Sequence, residues 1–180
     1  VVGRFKEVTF VEPIEQLLHL AAKQMQGNKR TEIPACAKSL YELAKTTGFV
    51  SSDFPIDTAL QLYPLDLFSA YAITTAIQRY GQNERSLFTF LASQENTSRD
   101  ASANNQTYNL QKVYDYIYYS FYSYLKDANA DSMNWSSMQV SIERVEGQSW
   151  DSQEQMLHAI NIIKAIGLLN LFGVAGFRLP

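Results

Sequence analysis

Tyr108-Asn109-Leu110-Gln111-Lys112-Val113-Tyr114-Asp115-Tyr116-Ile117-Tyr118-Tyr119-Ser120-Phe121-Tyr122-Ser123-Tyr124-Leu125 is the stretch that decides the fold class. The span from Tyr108 to Ala128 holds seven of the chain's eleven tyrosines, and aromatic residues are enriched in strands. The spacing argues the other way. Leu110, Val113, Tyr114, Ile117, Phe121 and Leu125 recur every three or four residues, so a helix would gather them on one face. Lys112, Asp115 and Tyr119 fall on another face. A strand would instead alternate apolar and polar side chains with period two. The segment is therefore a predicted helix, and with it the chain becomes an all-α protein.

Outward from this helix the same period continues. Toward the N-terminus, Ile14, Leu17, Leu18, Ala21 and Met25 form an apolar stripe behind Pro13, a residue that suits a first helical turn because its missing N–H has no partner there. Ala37, Leu40, Tyr41 and Ala44 form a second stripe after Pro34 and stop at Gly48, a natural residue just past a helix end. A short helical turn fits Asp57 to Leu62. A longer helix is expected from near Pro64 to Tyr80, closed by Gly81. Asn83 is placed to cap the next helix, whose buried face would be Leu87, Phe88, Phe90 and Leu91. Beyond the tyrosine-rich segment, helices are expected from Ser132 to Val145, stopping at Gly147, and from Asp151 or Ser152 to Phe172, before Gly173.

The architecture so predicted is a bundle of about seven helices, with the alternating segment Arg4 to Val11 as one short N-terminal strand. The region 93–107 is rich in Ser, Asn and Gln and reads as a mobile surface loop. It divides a single helical module, residues 1–180, into candidate subdomains 1–92 and 108–180.

Composition narrows the function classes. The chain has 180 residues, is 46% hydrophobic and 13% aromatic, and carries a net charge of −3 with a pI near 5.4. That supplies the apolar area for a folded core and no bulk positive field for a phosphate backbone, so nucleic acid is not an implied partner. Cys36 is the only cysteine, cannot form an internal disulfide, and in its helical context reads as a small buried apolar residue. This fits a reducing, cytoplasmic compartment. No basic segment leading into an apolar run and a small-residue cleavage site occurs in the opening residues, so a secretory signal is not expected among them. The greasy stretch Ile160 to Phe172 is interrupted by Asn161, Lys164 and Asn170 and is too short for a bilayer, so no membrane partner is expected. The opening Val1-Val2-Gly3 has no initiator methionine and is what a piece excised from a larger protein would show.

Few residues point to chemistry. A phosphate-cradling loop needs several glycines and a lysine in one turn, and none is present. His19 and His158 lie far apart with no partner at metal-ligand spacing, and read as ordinary helix histidines. No nucleophile signature surrounds Cys36 or any serine, so the chain is not expected to be an enzyme on its own. Tyrosines on the 108–128 helix serve core packing, a partner protein, or stacked bases; the few lysines favour packing. Tyr116 and Tyr119 are the two that the core face explains least, and are the candidates for a partner contact. The corner Gln82-Asn83-Glu84-Arg85 between two helices is either local capping or an arginine held out to a phosphate or carboxylate of a neighbouring domain.

Several motifs occur in a fixed order: Gly3-Arg4-Phe5, Phe10-Val11-Glu12-Pro13, Tyr63-Pro64-Leu65, Gly81-Gln82-Asn83-Glu84-Arg85-Ser86-Leu87-Phe88 and Leu168-Leu169-Asn170-Leu171-Phe172-Gly173. In these, over nearly its whole length, the chain resembles the helical region that follows the nucleotide-binding core in a group of large bacterial P-loop ATPases related to the AAA and STAND groups. The element from Gln82 to Phe88 is the most specific part. The resemblance implies a lid-like regulatory module that couples nucleotide state to attached domains. Walker motifs would lie upstream of Val1 and further domains downstream of Pro180, both as partners, with ATP and Mg bound by the full-length protein. It further implies that Arg4 or Arg85, beside Asn83 and Glu84, senses the nucleotide. Where many members of that group have His-Pro-Leu-Thr after Tyr-Pro-Leu, this chain has Asp66-Leu67-Phe68-Ser69. The rival reading is a non-enzymatic interaction domain that uses the tyrosine-rich helix.

Overall fold

A computed structural model describes residues 13–25, 35–80, 85–92, 107–126 and 130–173. Pro13 opens α1 (Ile14–Met25), accepting from the Gln16 and Leu17 amides, and the apolar stripe is buried as Leu17, Leu18, Ala21, Ala22 and Met25. Helix α2 (Ala35–Thr46) buries Tyr41 and Ala44. It stops as Gly48 turns left-handed at φ 75°, where a side chain would be strained. The Phe49 amide then reaches back to the Ala44 carbonyl at 2.8 Å and the Gly48 amide to Lys45 at 3.2 Å, the two bonds that satisfy a helix end in a Schellman motif. The turn that follows is fixed by the Tyr41 hydroxyl, which donates to the Phe54 carbonyl at 2.7 Å.

The short turn expected near Asp57 is α3 (Ile56–Gln61). Helix α4 (Leu67–Tyr80) starts three residues later than the Pro64 boundary expected from sequence. The reason lies in Asp66. Its carboxylate accepts from the Ser69 amide at 2.8 Å and the Ser69 hydroxyl at 2.9 Å, which makes it the cap and the residues before it a turn. That turn contains a cis Tyr63–Pro64 bond. Ten of the fourteen residues of α4 are buried, and it touches α1, α2 and α5 (Arg85–Ala92), so it is the axle of the N-terminal half.

The tyrosine-rich segment is helical, as its period requires, but as two helices. Asn109 caps α6 (Leu110–Ser120) through the Lys112 amide. Phe121 then leaves helical geometry at φ −115°, ψ 17°, and α7 (Tyr122–Lys126) resumes. Helix α8 (Ser132–Glu146) follows, and α9 (Gln153–Phe172) is capped by the Ser152 hydroxyl. The described residues thus hold nine helices against the seven or so expected, the additions being α3 and the break at Phe121. No strand occurs among the described residues; the expected strand over Arg4 to Val11 and nearly all of the 93–107 loop lie outside them. The nearest thing to a strand contact is a parallel bridge between Leu65 and Tyr108, which joins the start of α4 to the start of α6.

Buried residues from both halves of the chain belong to one continuous hydrophobic core, because α4 packs on α6 and α9 as well as on the N-terminal helices. Two expectations are corrected. Cys36 is exposed, since the buried stripe of α2 runs through Tyr41 and Ala44 and leaves its first turn in solvent. The greasy stretch ending at Phe172 belongs to a 20-residue helix, which by length and composition alone is sufficient to cross a bilayer. In this fold one side of α9 lies on α4, α6 and α8, and its Lys164 pairs with Asp115 of α6 at 2.7 Å.

Candidate functional site

The C-terminal end of α4 delivers two consecutive polar residues into the joint between the halves. Tyr80 donates from its hydroxyl to Asp131 Oδ2 at 2.7 Å, and Arg79 Nη1 donates to the same oxygen at 3.0 Å. Trp135, one turn into α8, donates its indole N–H back to the Tyr80 hydroxyl at 3.0 Å. The Arg79 guanidinium lies over the Phe172 ring, 5.2 Å from its centroid, and also bonds the Leu171 carbonyl at 3.3 Å. Six residues therefore tie the ends of α4, α8 and α9 together. Burial drives the Tyr80 phenol far above its usual range; its bond and charge interaction with Asp131 push the same way, against the Trp135 N–H. Tyr80 is a fixed donor at any physiological pH. This knot positions helices.

Beside the knot, α6 and α7 on one side and α8 on the other enclose a groove of about 590 Å³. Tyr118, Tyr122 and Leu125 form one wall. Ser132, Ser136, Gln139 and Glu143, which recur every three or four residues along one face of α8, form the other, with Trp135 and Met133 at its edges. The tyrosine wall is held edge-on, Tyr118 against Tyr122 at 5.4 Å, and Tyr118 is also stacked parallel to the fully buried Tyr114. Tyr114 in turn is fixed across the helix interface by Gln139 Nε2, 2.5 Å from its hydroxyl, and by the Lys164 ammonium over its ring. Burial raises the Tyr114 phenol well above the usual range, so it too stays protonated. The Gln139–Tyr114 contact ties the α6 and α8 sides of the groove together.

Of the residues proposed from sequence, Arg4, Asn83 and Glu84 lie outside the described residues, and so does the side chain of Arg85, the first residue of α5. The two tyrosines part company. Tyr116 packs edge-on against the buried Phe90 at 4.7 Å, while Tyr119 is 77% exposed and touches the Tyr118 ring beside the groove. Met133, on the opposite lip, is 81% exposed. His19 bonds Thr58 at 3.1 Å, and no cluster of three or more metal-binding side chains exists among the described residues.

Asp66 is the group that sequence reasoning left without a role. It is 8% exposed, and burial raises its carboxyl to about 6, against the opposing pull of the Ser69 and Phe68 N–H groups. Its spacing to Ser69 was the available signal, an acidic cap three residues before a hydroxyl. Arg79, Asp131 and Trp135 carried none, because their contacts span 51 to 55 residues of chain or more.

Comparison with protein-family models, with characterised proteins and with solved structures finds no match to this chain in any of the three.

Proposed function

We propose that the chain is a helical regulatory module of a larger P-loop ATPase, which couples nucleotide state in a separate core to movement of attached domains. The observation that carries this reading is the ordered set of motifs, above all Gln82-Asn83-Glu84-Arg85-Ser86-Leu87-Phe88. The geometry suits a coupling device. Residues 81–84 follow directly on Tyr80, so a force applied at Arg85 would act on the end of α4, the most deeply buried helix of its half. From there Arg79 and Tyr80 lead to Asp131 and Trp135, which set the position of α8. Interfaces of this kind pass on small displacements because packed helices shift as units.

In this reading ATP and Mg are bound by the separate core, as the resemblance implies. The module's own contribution is an arginine from Arg85 or Arg4, with a fixed charge and a fork of donors. The test is ATP hydrolysis by the full-length protein. Arg85→Ala should lower it by about a hundredfold or more, with Arg85→Lys failing to rescue and helical content unchanged. A full-length protein that neither binds nor hydrolyses ATP would overturn the proposal.

A second reading has its own support. Tyr119 and Met133 stand exposed on either side of a preformed aromatic groove, which is what a non-enzymatic protein–protein interaction domain presents to its partner. Alanine at both positions should abolish partner binding at unchanged stability if this reading holds.

A further inference from the structure

Helix α9 buries one side and leaves the other bare. Ile160, Leu168 and Phe172 face the core. On the side turned away from them, Ala159, Ile162, Ile166 and Leu169 follow one another at intervals of three, four and three residues. Ile162 is 58% exposed and Ile166 42%, while Leu169 is partly covered. This is the spacing at which one helix presents an apolar seam to another. An outward helix face normally carries charge, as α2 does in turning Lys38 and Glu42 to solvent. The outward face of α9 does not. Its only carboxylate, Glu154, lies in the first turn, and its only ammonium, Lys164, is turned in to Asp115.

We infer that this seam pairs with the same seam of a second copy of the chain, the two α9 helices lying antiparallel about a two-fold axis. The spacing reads the same from either end, so the seam is complementary to itself when reversed. Centred between Ile162 and Ile166, the pairing sets Ile162 against the partner's Ile166 and the small Ala159 against the partner's larger Leu169. A parallel pair would instead set alanine against alanine and leave a gap at that layer. The antiparallel arrangement also opposes the two helix dipoles. From Ala159 to Leu169 the seam is about 15 Å long at the helical rise per residue. That places the contact at the small, transient end of interface sizes, and the dimer forms in the micromolar range.

The inference is independent of both functional readings above. Its test is sedimentation equilibrium of the full chain from about 10 µM to about 1 mM, a range that spans weak association. The mass should rise from 20.4 kDa toward twice that value. Ile162→Glu and Ile166→Lys should each weaken self-association by about tenfold or more. Both sites are exposed, so circular dichroism and the urea midpoint should stay those of the parent. Mixed in equal amounts, the two variants should dimerise again, because the antiparallel register sets the new carboxylate opposite the new ammonium and keeps one isoleucine pair. A mixture that stays monomeric overturns the antiparallel pairing, and single variants that dimerise like the parent overturn the seam. A parent that is monomeric at every concentration overturns the inference as a whole. Flotation of that monomer with phosphatidylcholine vesicles would assign the seam to a bilayer, which α9 is long and apolar enough to enter, and indifference to vesicles would assign it to a different protein surface.

Discussion

The indole N–H of Trp135 donates to the Tyr80 hydroxyl at 3.0 Å, and that hydroxyl in turn donates to Asp131 at 2.7 Å. Phenylalanine at position 80 would keep the ring packing against Phe121, Tyr124 and Phe172 but remove the acceptor of the buried Trp135 N–H, while Asp131 keeps its bond from Arg79. Tyr80→Phe should therefore cost about 1–3 kcal/mol in urea unfolding, the usual penalty for a buried donor left unpaired. A cost within error of zero would mean that the three groups do not act together.

Gly167 sits where α9 crosses α8 at close range. A β-carbon there would stand 2.0 Å from Met138 Sδ and 2.7 Å from its Cγ. Gly167→Ala gains helix propensity of about 1 kcal/mol, yet should be net destabilising by about 1–3 kcal/mol because the Met138 side chain is buried and must move. Combining it with Met138→Ala should recover part of that loss. Additive costs for the two changes would contradict the close approach.

Asp66 sets a pH dependence with a definite sign. Its carboxyl rises from an ordinary 3.8 to about 6 on folding, so the native state holds the proton more tightly. Its contribution is most favourable below about pH 4 and is lost as pH rises through about 6, a change of about 3 kcal/mol. An asparagine side chain at this position would keep a capping oxygen and carry no charge. Asp66→Asn should thus be more stable than the parent at pH 7 and lose that advantage toward pH 4. A difference that is constant over this range would refute the assignment.

Tyr116 and Tyr119 should separate cleanly in stability measurements. Tyr116→Ala removes an aromatic contact to Phe90 and should cost about 1–3 kcal/mol, whereas Tyr119→Ala, at a site 77% exposed, should lie within about 0.5 kcal/mol of the parent. Equal effects on unfolding would mean that the two rings do not occupy the different environments described.

How much of this could be read from the chain follows from the range of each interaction. The stripe Leu17, Leu18, Ala21, Met25 is buried as its period requires, and Gly48 ends α2 in the left-handed conformation expected of such a glycine. Ser152 caps α9 through a partner three residues away. These are local signals. The break at Phe121 was not legible, since the apolar period runs through it unchanged and only packing departs from it. Nor was the exposure of Cys36, because which turn of α2 meets the core depends on where α3 and α4 lie. At the candidate site, Tyr119 was singled out by the spacing together with Tyr116, which packs on Phe90 instead, while Tyr118, Tyr122, Trp135, Gln139 and Glu143 meet at the groove only through the crossing of α8 with the tyrosine-rich helices.

The bridge between Leu65 and Tyr108 has a dynamic corollary. The Tyr108 amide donates to Pro64, the Asp66 amide returns the bond to Tyr108, and the Asp66 carboxylate holds the Ser69 amide, so two helices separated by some forty residues of chain begin at a shared knot of backbone. Opening that knot exposes all three amides in one event. Their hydrogen–deuterium exchange would then share a single opening free energy, and α4 and α6 would melt from their first turns as one cooperative unit.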